Sequence, residues 1–139
     1  MEPLTTYLVK QTEVAIRAHL DAALREHALT AMQYTAMTVL QHRGDLSSAQ
    51  LARRSFVRPQ TMHEMVTGLE RQGLIERHPS PDHTRVLLIR LTEAGRTKLA
   101  ECASDVERIE RRMVEPLTTD ELKTLRTLLD RCYTALASP

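Results

Sequence analysis

The segment from Gly73 to Arg96 constrains the fold more than any other part of this 139-residue chain. Two short apolar runs, Leu74–Ile75 and Val86–Leu91, flank a stretch rich in Pro, Ser, Asp and His. Apolar runs on either side of such turn-forming residues predict a β-hairpin with a long tip. The rest of the sequence has a helical pattern that can support this hairpin and the helix before it.

The helix before the hairpin is predicted to begin at Pro59 and to end at Gly73. Proline suits a first helical position, because its missing N–H would have no partner inside the helix. The apolar residues of this segment recur at i, i+3, i+4 and i+7, which predicts one buried stripe. They are Met62, Met65, Val66 and Leu69.

Two capping boxes predict where the second and third helices begin. Thr30 is followed three residues later by Gln33, and Ser47 is followed by Gln50. In such a pair the hydroxyl accepts from one unpaired backbone N–H, and the Gln side chain accepts from another. The third helix is short, roughly Ser48–Arg54, and residues 55–58 form the turn that leads to Pro59.

The terminal segments predict longer helices. The first spans about Leu4–His27, the fifth follows Thr92, and the sixth follows a break at Pro116 and opens at Thr119. Two consecutive stripes with spacings of 3, 4, 3 and 4 indicate helices packed side by side. They are Leu99, Cys102, Val106, Ile109 and Met113, and then Leu122, Leu125, Leu129, Cys132 and Leu136.

Helices two to four and the hairpin predict a mainly α fold with a small β-hairpin wing, a winged helix-turn-helix. In that fold the fourth helix enters the major groove of double-stranded DNA. The groups expected at bases or phosphates are side chains on its polar face, at its start and at the wing, and the backbone N–H groups of Ser47 and Ser48 at the start of helix three. They are Ser47, Ser48, Arg58, Gln60, Thr61, His63, Thr67, Asp82, His83 and Arg85. We expect Asp82 to pair with an arginine and fix the turn, while Arg85 or His83 reaches a minor groove or a phosphate.

The distribution of charge supports contact with phosphates. The whole chain has a net charge of +1, but residues 53–90 contain seven Arg and four acidic residues, a net charge of +3. This is a modest electrostatic footprint for a nucleic-acid-binding surface. The alternative is that these arginines only solvate the surface.

Three runs, 69–77, 81–85 and 91–96, resemble the core of the MarR family of bacterial transcription regulators. The resemblance is tight from helix two to the start of helix five, and the whole chain agrees in length and order. Two positions depart from the family pattern. Arg58 stands where a small polar residue often caps the recognition helix, and His83–Thr84 stand where a second wing arginine is common. Both departures could change the operator or the affinity, and neither threatens the fold.

The resemblance implies a homodimer that represses transcription at a palindromic operator. It implies one domain, 1–139, with a DNA-binding lobe at 30–92 and a helical dimerisation region at 1–28 and 93–139. The two heptad-like stripes favour such an interface independently, because a partner helix would cover them. The expected interface residues are Leu8, Val106, Ile109, Met113, Leu122, Leu125, Leu129 and Leu136.

The resemblance also implies a small aromatic or phenolic effector in a crevice between the dimerisation region and the DNA-binding lobe. That crevice would be lined from helices one, two and five. Ordinary core packing is the alternative for any one of its candidate residues. They are Arg17, His19, Leu20, Leu24, Tyr34, Met37 and Met62.

Other functions have less support. A redox-responsive regulator using Cys102 and Cys132 and a winged-helix module that binds only protein are the alternatives. The sequence has neither a Gly-rich phosphate loop nor a nucleophile elbow, so we expect neither an enzyme nor a bound cofactor. His19, His27 and His42 lack the close spacing of a metal site. No apolar run approaches the roughly 18 residues of a membrane span, so we expect a cytoplasmic protein with no membrane partner.

Overall fold

A computed structural model describes residues 1–137 of the chain. Helices and a small antiparallel sheet form two compact units, one from Met1 to Val106 and one from Glu107 onward. The fold is mainly α with a hairpin wing, as the sequence predicts. Its elements are α1 (Thr5–Leu24), a 3₁₀ turn (Arg25–His27), α2 (Ala31–Arg43), β1 (Leu46–Ser47), α3 (Ser48–Arg54), α4 (Pro59–Arg71), β2 (Ile75–Pro79), β3 (Leu87–Leu91), α5 (Glu93–Val114) and α6 (Thr119–Ala137).

The sheet consists of the predicted hairpin and one additional short strand. Strands β2 and β3 pair antiparallel from Ile75 opposite Leu91 to Pro79 opposite Leu87. The two-residue strand β1 pairs with the other edge of β3, so the spatial order is β1-β3-β2. Sequence reasoning missed β1, because two residues are too few to show an alternating pattern.

The two predicted capping boxes are both present. Thr30 Oγ1 accepts from the backbone N–H of Gln33 at 3.1 Å, and Gln33 Oε1 accepts from Thr30 N at 3.0 Å. Ser47 and Gln50 make the same reciprocal pair at 3.2 and 3.0 Å. A third box, Thr118 with Glu121, starts α6. Replacing such a cap by Ala costs roughly 0.5–2 kcal/mol.

The core of the first unit lies between α2, α3, α4 and the sheet. All four residues of the α4 stripe are buried, and Met62, Val66 and Leu69 have at most 1% of their surface exposed. They share one cluster with apolar residues of the wing strands and the neighbouring helices. These neighbours include Met37, Leu40, Leu51, Leu74, Ile75, Ile89 and Leu91.

Helix α1 belongs to the same unit through its last turns. Leu24 is fully buried, and Leu20 packs against the core. The Oδ1 atom of Asp21 accepts from the backbone N–H of Ala31 at 2.7 Å, which ties α1 to the start of α2. The earlier turns of α1 instead leave large apolar side chains exposed. They are Tyr7, Leu8, Val9 and Val14, preceded by Leu4.

The second unit contains an apolar stripe with little cover of its own. Leu129 is 48% exposed and Leu136 is 89% exposed, while Leu122 is half-buried. The two cysteines differ from each other: Cys102 is fully buried in the first unit, and Cys132 on α6 is exposed. Cys132 is exposed because the apolar stripe of α6 to which it belongs is itself exposed.

Phe56 lies in the turn between α3 and α4 and has an unusual backbone conformation. Its φ angle is +62°, and its side chain is 76% exposed. In the left-handed region the Cβ atom crowds the following carbonyl, at a cost of roughly 1–2 kcal/mol for an L-residue. Asn tolerates this conformation better than other non-glycine residues.

We therefore expect Phe56→Asn to raise the free energy of unfolding by about 1 kcal/mol, measured by urea denaturation. The matched control is His83→Asn, at an exposed loop position that is not among the positive-φ residues described. The control should change stability by less than about 0.5 kcal/mol. A Phe56→Asn protein that is less stable than the native chain would show that the exposed ring makes a compensating contact.

Candidate DNA-binding surface

The start of α4 explains how the chain tolerates Arg58 where a capping residue is common. Arg58 is the N-cap, with extended backbone angles (φ −71°, ψ 151°), and its side chain makes no capping hydrogen bond. Pro59 follows at the first helical position, so one of the unpaired donors of the helix start is absent. The exposed guanidinium of Arg58 is therefore directed at solvent rather than used locally.

The polar side chains of α4 are accessible to solvent, but they differ in exposure and in whether they already make a hydrogen bond. Gln60 and His63 are exposed, while Thr61 and Thr67 are half-buried. The Thr67 hydroxyl donates to the His63 carbonyl at 3.0 Å, so its proton is already used within the helix. Gln60, Thr61 and His63 are therefore the freest candidates for contact with base edges.

The start of α3 offers one backbone donor fewer than the sequence suggested. The backbone N–H of Ser47 donates to Gln50 Oε1, and the Ser47 hydroxyl accepts from Gln50 N. Both groups of Ser47 are thus engaged in the capping box. Ser48, at the first helical position, has no intrahelical acceptor for its N–H, and it is the better candidate for a phosphate.

The wing turn is closed by backbone hydrogen bonds and not by the expected ion pair. Ser80 N donates to Val86 O at 2.8 Å, and Val86 N donates to His83 O at 3.0 Å. The Asp82 backbone N–H donates to the Ser80 hydroxyl at 3.3 Å. Within residues 1–137, Asp82 and Arg85 form no salt bridge, so the predicted pairing of Asp82 with an arginine was wrong. The turn needs no ion pair, and the charged side chains at its tip stay exposed.

A network at the base of the wing joins residues that are distant in sequence. His78 Nε2 lies 2.9 Å from Asp45 Oδ2, and Arg90 Nη2 lies 3.2 Å from the same oxygen. Asp45 precedes β1, while His78 and Arg90 belong to β2 and β3, so the network fixes the wing against the corner after α2. Sequence reasoning missed it, because 33 and 45 residues separate its members and no local pattern connects them.

The Leu-Thr-Glu-Ala-Gly motif fixes the other end of the hairpin. The Thr92 hydroxyl donates to Gly73 O at 2.6 Å and accepts from Gly95 N at 3.1 Å, so Thr92 caps α5 as predicted. Thr92 N also donates to Leu74 O at 3.1 Å. Gly95 is buried against that same carbonyl, with no room for a side chain. One short segment thus joins α5 to the first residues of the hairpin.

The arginines of this region divide into paired and unpaired groups. Arg77 Nε lies 3.4 Å from Glu70, and Arg90 pairs with Asp45. In the part of the chain that the structure describes, the other five arginines between residues 53 and 90 have no ion pair, and all five are exposed. They are Arg53, Arg54, Arg58, Arg71 and Arg85. Unpaired arginines can approach phosphates without first losing an internal partner.

A cleft of about 620 Å³ in the first unit lies between α1, α2 and α4. Of the predicted effector residues, only Arg17 lines it. Leu24, Met37 and Met62 are fully buried in the core, so their assignment to an open crevice was wrong. Leu20 and Tyr34 pack against the core, and His19 is exposed outside the cleft. The residues that line the cleft are Arg17, Asp21, Arg25, Leu29, Thr30, Met32, Gln33, Thr61, Glu64 and Met65.

The environment of Cys102 does not favour redox chemistry. Burial raises the pKa of its thiol, and the nearby carboxylates of Asp105, Glu101 and Glu26 raise it further, although Lys98 opposes them. A buried thiol that resists deprotonation reacts slowly, because the thiolate is the nucleophile. The exposed Cys132 is the more accessible of the two cysteines.

These elements define a winged helix-turn-helix protein, and comparison with known proteins places it in a family. Residues 28–86 match the MarR family. A probable transcriptional regulator from Pseudomonas aeruginosa is 30% identical and has a TM-score of 0.83, over 92% of this chain and 96% of that one. The chain belongs to the MarR family of transcriptional regulators.

Two further known proteins are similar to this chain. An HTH-type transcriptional repressor from Mycobacterium tuberculosis is 29% identical over 125 residues, 90% of each chain. MepR from S. aureus, solved as a complex with DNA, shares the fold with a TM-score of 0.84 at 23% identity, over 96% of this chain and 99% of that one. Among the helices of residues 1–137, none is long and apolar enough to cross a membrane.

The contact between Gly95 and the Leu74 carbonyl predicts the effect of adding one methyl group. Gly95→Ala should lower the free energy of unfolding by about 1–3 kcal/mol, because the new Cβ overlaps a backbone oxygen that cannot move without disturbing the wing. Gly68→Ala is the matched control: inside α4 its Cβ would meet only the Gln33 side chain, at 3.4 Å. Gly68→Ala should leave the free energy of unfolding unchanged or raise it by about 0.5–1 kcal/mol, because alanine favours a helix more than glycine does. Equal effects of the two substitutions on thermal unfolding would contradict the assigned contact.

Proposed function

We propose that this chain is a dimeric, DNA-binding transcriptional repressor whose recognition helix is α4. The observation that carries the proposal is the division of α4 into a buried apolar stripe and an accessible polar face, beside a wing and five unpaired arginines. The known DNA complex of MepR supports the use of this fold on a duplex. The similarity to a mycobacterial repressor over 90% of the chain supports repression.

In the proposed complex α4 lies in the major groove and contacts base edges from its N-terminal half. Gln60 can pair with adenine through two hydrogen bonds, and Thr61 can contact a thymine methyl or a phosphate. Arg58, at the helix entry, and Arg53 and Arg54, at the end of α3, contact the sugar-phosphate backbone. Such contacts set the register of the protein on DNA but carry little sequence information.

The wing supplies a second point of contact. Arg85 and His83 stand on an exposed tip whose backbone is closed by its own hydrogen bonds. Since neither side chain has an internal ionic partner in the described residues, either can enter a minor groove or lie along a phosphate. Asp82 faces solvent beside them, and we assign it to the shape of the tip rather than to contact with DNA.

The proposed dimer covers the apolar surfaces at both ends of the chain. Large apolar side chains are exposed on the first turns of α1 and along α6. Burying one Leu gains roughly 1.5–3 kcal/mol, so a few such residues per subunit suffice for stable association. A two-fold axis would then place two recognition helices about one helical turn of DNA apart, roughly 34–36 Å.

The proposed effector is a small aromatic or phenolic compound, bound in the cleft between α1, α2 and α4. Arg17 and Arg25 can pair with an acidic group, and Leu29, Met32 and Met65 provide apolar contacts. Thr61 and Glu64 line the cleft from α4 itself. A ligand that favours one position of α4 therefore changes DNA affinity by linkage. With no membrane helix described and DNA as partner, we place the protein in the cytoplasm.

Arg85→Ala tests the role of the wing. The substitution should weaken binding to a duplex, selected from a random pool or taken from the region upstream of the protein's own gene, by about ten-fold. Thermal unfolding should stay nearly unchanged, because Arg85 makes no internal ion pair. Lys10→Ala removes the same charge from an exposed position on α1, and we expect it to leave affinity within two-fold, a difference of about 0.4 kcal/mol.

Gel-shift titrations at several salt concentrations measure both variants. If Arg85→Ala and Lys10→Ala lower the affinity equally, the wing makes no specific contact. If the native chain fails to shift any duplex at low salt while remaining dimeric, the protein-binding alternative is favoured. A steep loss of affinity with salt supports contact with phosphates.

Leu129→Asp tests the dimer. A charge in the middle of the α6 stripe should convert the protein into monomers, because an unpaired buried carboxylate is strongly unfavourable at an interface. Thr127→Asp introduces the same charge two residues away, outside the stripe, and should leave the dimer intact. Sedimentation or light scattering reports the mass of each variant. A persistent Leu129→Asp dimer would place the interface elsewhere.

A further inference from the structure

Three potential metal ligands meet where the end of α1 approaches α5. They are Glu26 and His27 of the 3₁₀ turn and Asp105 of α5, and their donor atoms all lie within 4.8 Å of one another. His27 Nε2 is 3.1 Å from Asp105 Oδ2 and 3.6 Å from Glu26 Oε1. No local sequence pattern indicates this group, because 78 residues separate His27 from Asp105.

These distances suit a shared cation. Zinc binds imidazole nitrogen and carboxylate oxygen at about 2.0–2.2 Å, so two ligands of one ion stand roughly 3–4 Å apart. Both His27 distances fall in that range.

The cluster combines fixed ligands with a route of entry. The side chains of His27 and Asp105 are only 16% and 17% exposed, so packing restricts their movement. Glu26 is 71% exposed and can close over an ion that arrives from solvent. A metal site that keeps water at its remaining coordination positions needs ligands held in place and a path for the ion to enter. His27 and Asp105 are the ligands held in place, and the exposed side of Glu26 is the path.

We propose that Glu26, His27 and Asp105 form a binding site for a first-row divalent transition-metal ion such as Zn²⁺. The imidazole favours zinc and related ions over Mg²⁺ and Ca²⁺, which prefer all-oxygen sites. Three protein ligands leave at least one position to water. Because the ligands come from two separate helical segments, a bound ion holds the end of α1 against α5 and stabilises the folded state.

The test uses the full chain, stripped of metal with a chelator, in a Cys132→Ser background that removes the exposed thiol. Calorimetric titration with ZnCl₂ should show one ion per chain, and thermal unfolding should shift upward with added zinc. Asp105→Asn and His27→Gln should each weaken zinc binding by at least about ten-fold. His42→Gln, which changes an exposed histidine at the end of α2, should bind zinc like the parent.

If Asp105→Asn or His27→Gln fails to fold, Glu26→Gln gives the same test, because its exposed side chain can change without disturbing the core. Absence of zinc binding up to millimolar concentration would show that His27 and Asp105 form only a structural ion pair. Equal zinc affinity in all ligand variants, or equal binding of MgCl₂ and ZnCl₂, would also overturn the proposal. These measurements involve no DNA, so their failure would leave the proposed regulatory function untouched.

Discussion

One shared hydrophobic core sets the position of both α4, the proposed recognition helix, and the wing. Met62, Val66 and Leu69 of α4 are buried in the same cluster as Ile75 and Ile89 of the hairpin. Neither element can turn or slide without exposing apolar surface or opening a cavity, which costs a few kcal/mol for each large side chain. The polar face of α4 and the exposed wing tip are therefore presented together, as a rigid pair, to any long and regular partner such as a duplex.

The sequence predicted those parts of the fold that local patterns encode. The stripe of α4, both capping boxes and the hairpin depend on spacings of a few residues, and each is found where it was expected. The network of Asp45, His78 and Arg90 depends on tertiary contact, and no local spacing reveals it. The wing shows the same limit: Asp82 and Arg85 are close in sequence, yet hydrogen bonds of the turn make their pairing unnecessary.

The same limit applies to three of the candidate effector residues. Periodicity alone cannot distinguish an apolar side chain that fills the core from one that lines a cleft, so Leu24, Met37 and Met62 were assigned to the wrong environment. Conversely, Thr61 was expected only on the DNA-facing surface, and the structure also places it on the cleft. Polar residues at the edge of a helix face can thus serve two surfaces, which a one-dimensional pattern does not show.

The joint between α1 and α2 brings the proposed regulatory inputs close to the recognition helix. The cleft is bordered by Leu29 and Thr30, and the proposed metal site includes Glu26 and His27. Between them, the carbonyl of Ala28 accepts from the Gln72 side chain at the end of α4, at 3.3 Å. An effector or an ion that repositions this joint would act on α4 through direct contact. Hydroxyl-radical footprinting of a selected operator tests the central claim most directly. It should show two protected clusters of nucleotides about one helical turn apart, with added protection at the wing contacts. A single protected cluster, or none, would contradict a dimer that presents paired recognition helices to DNA.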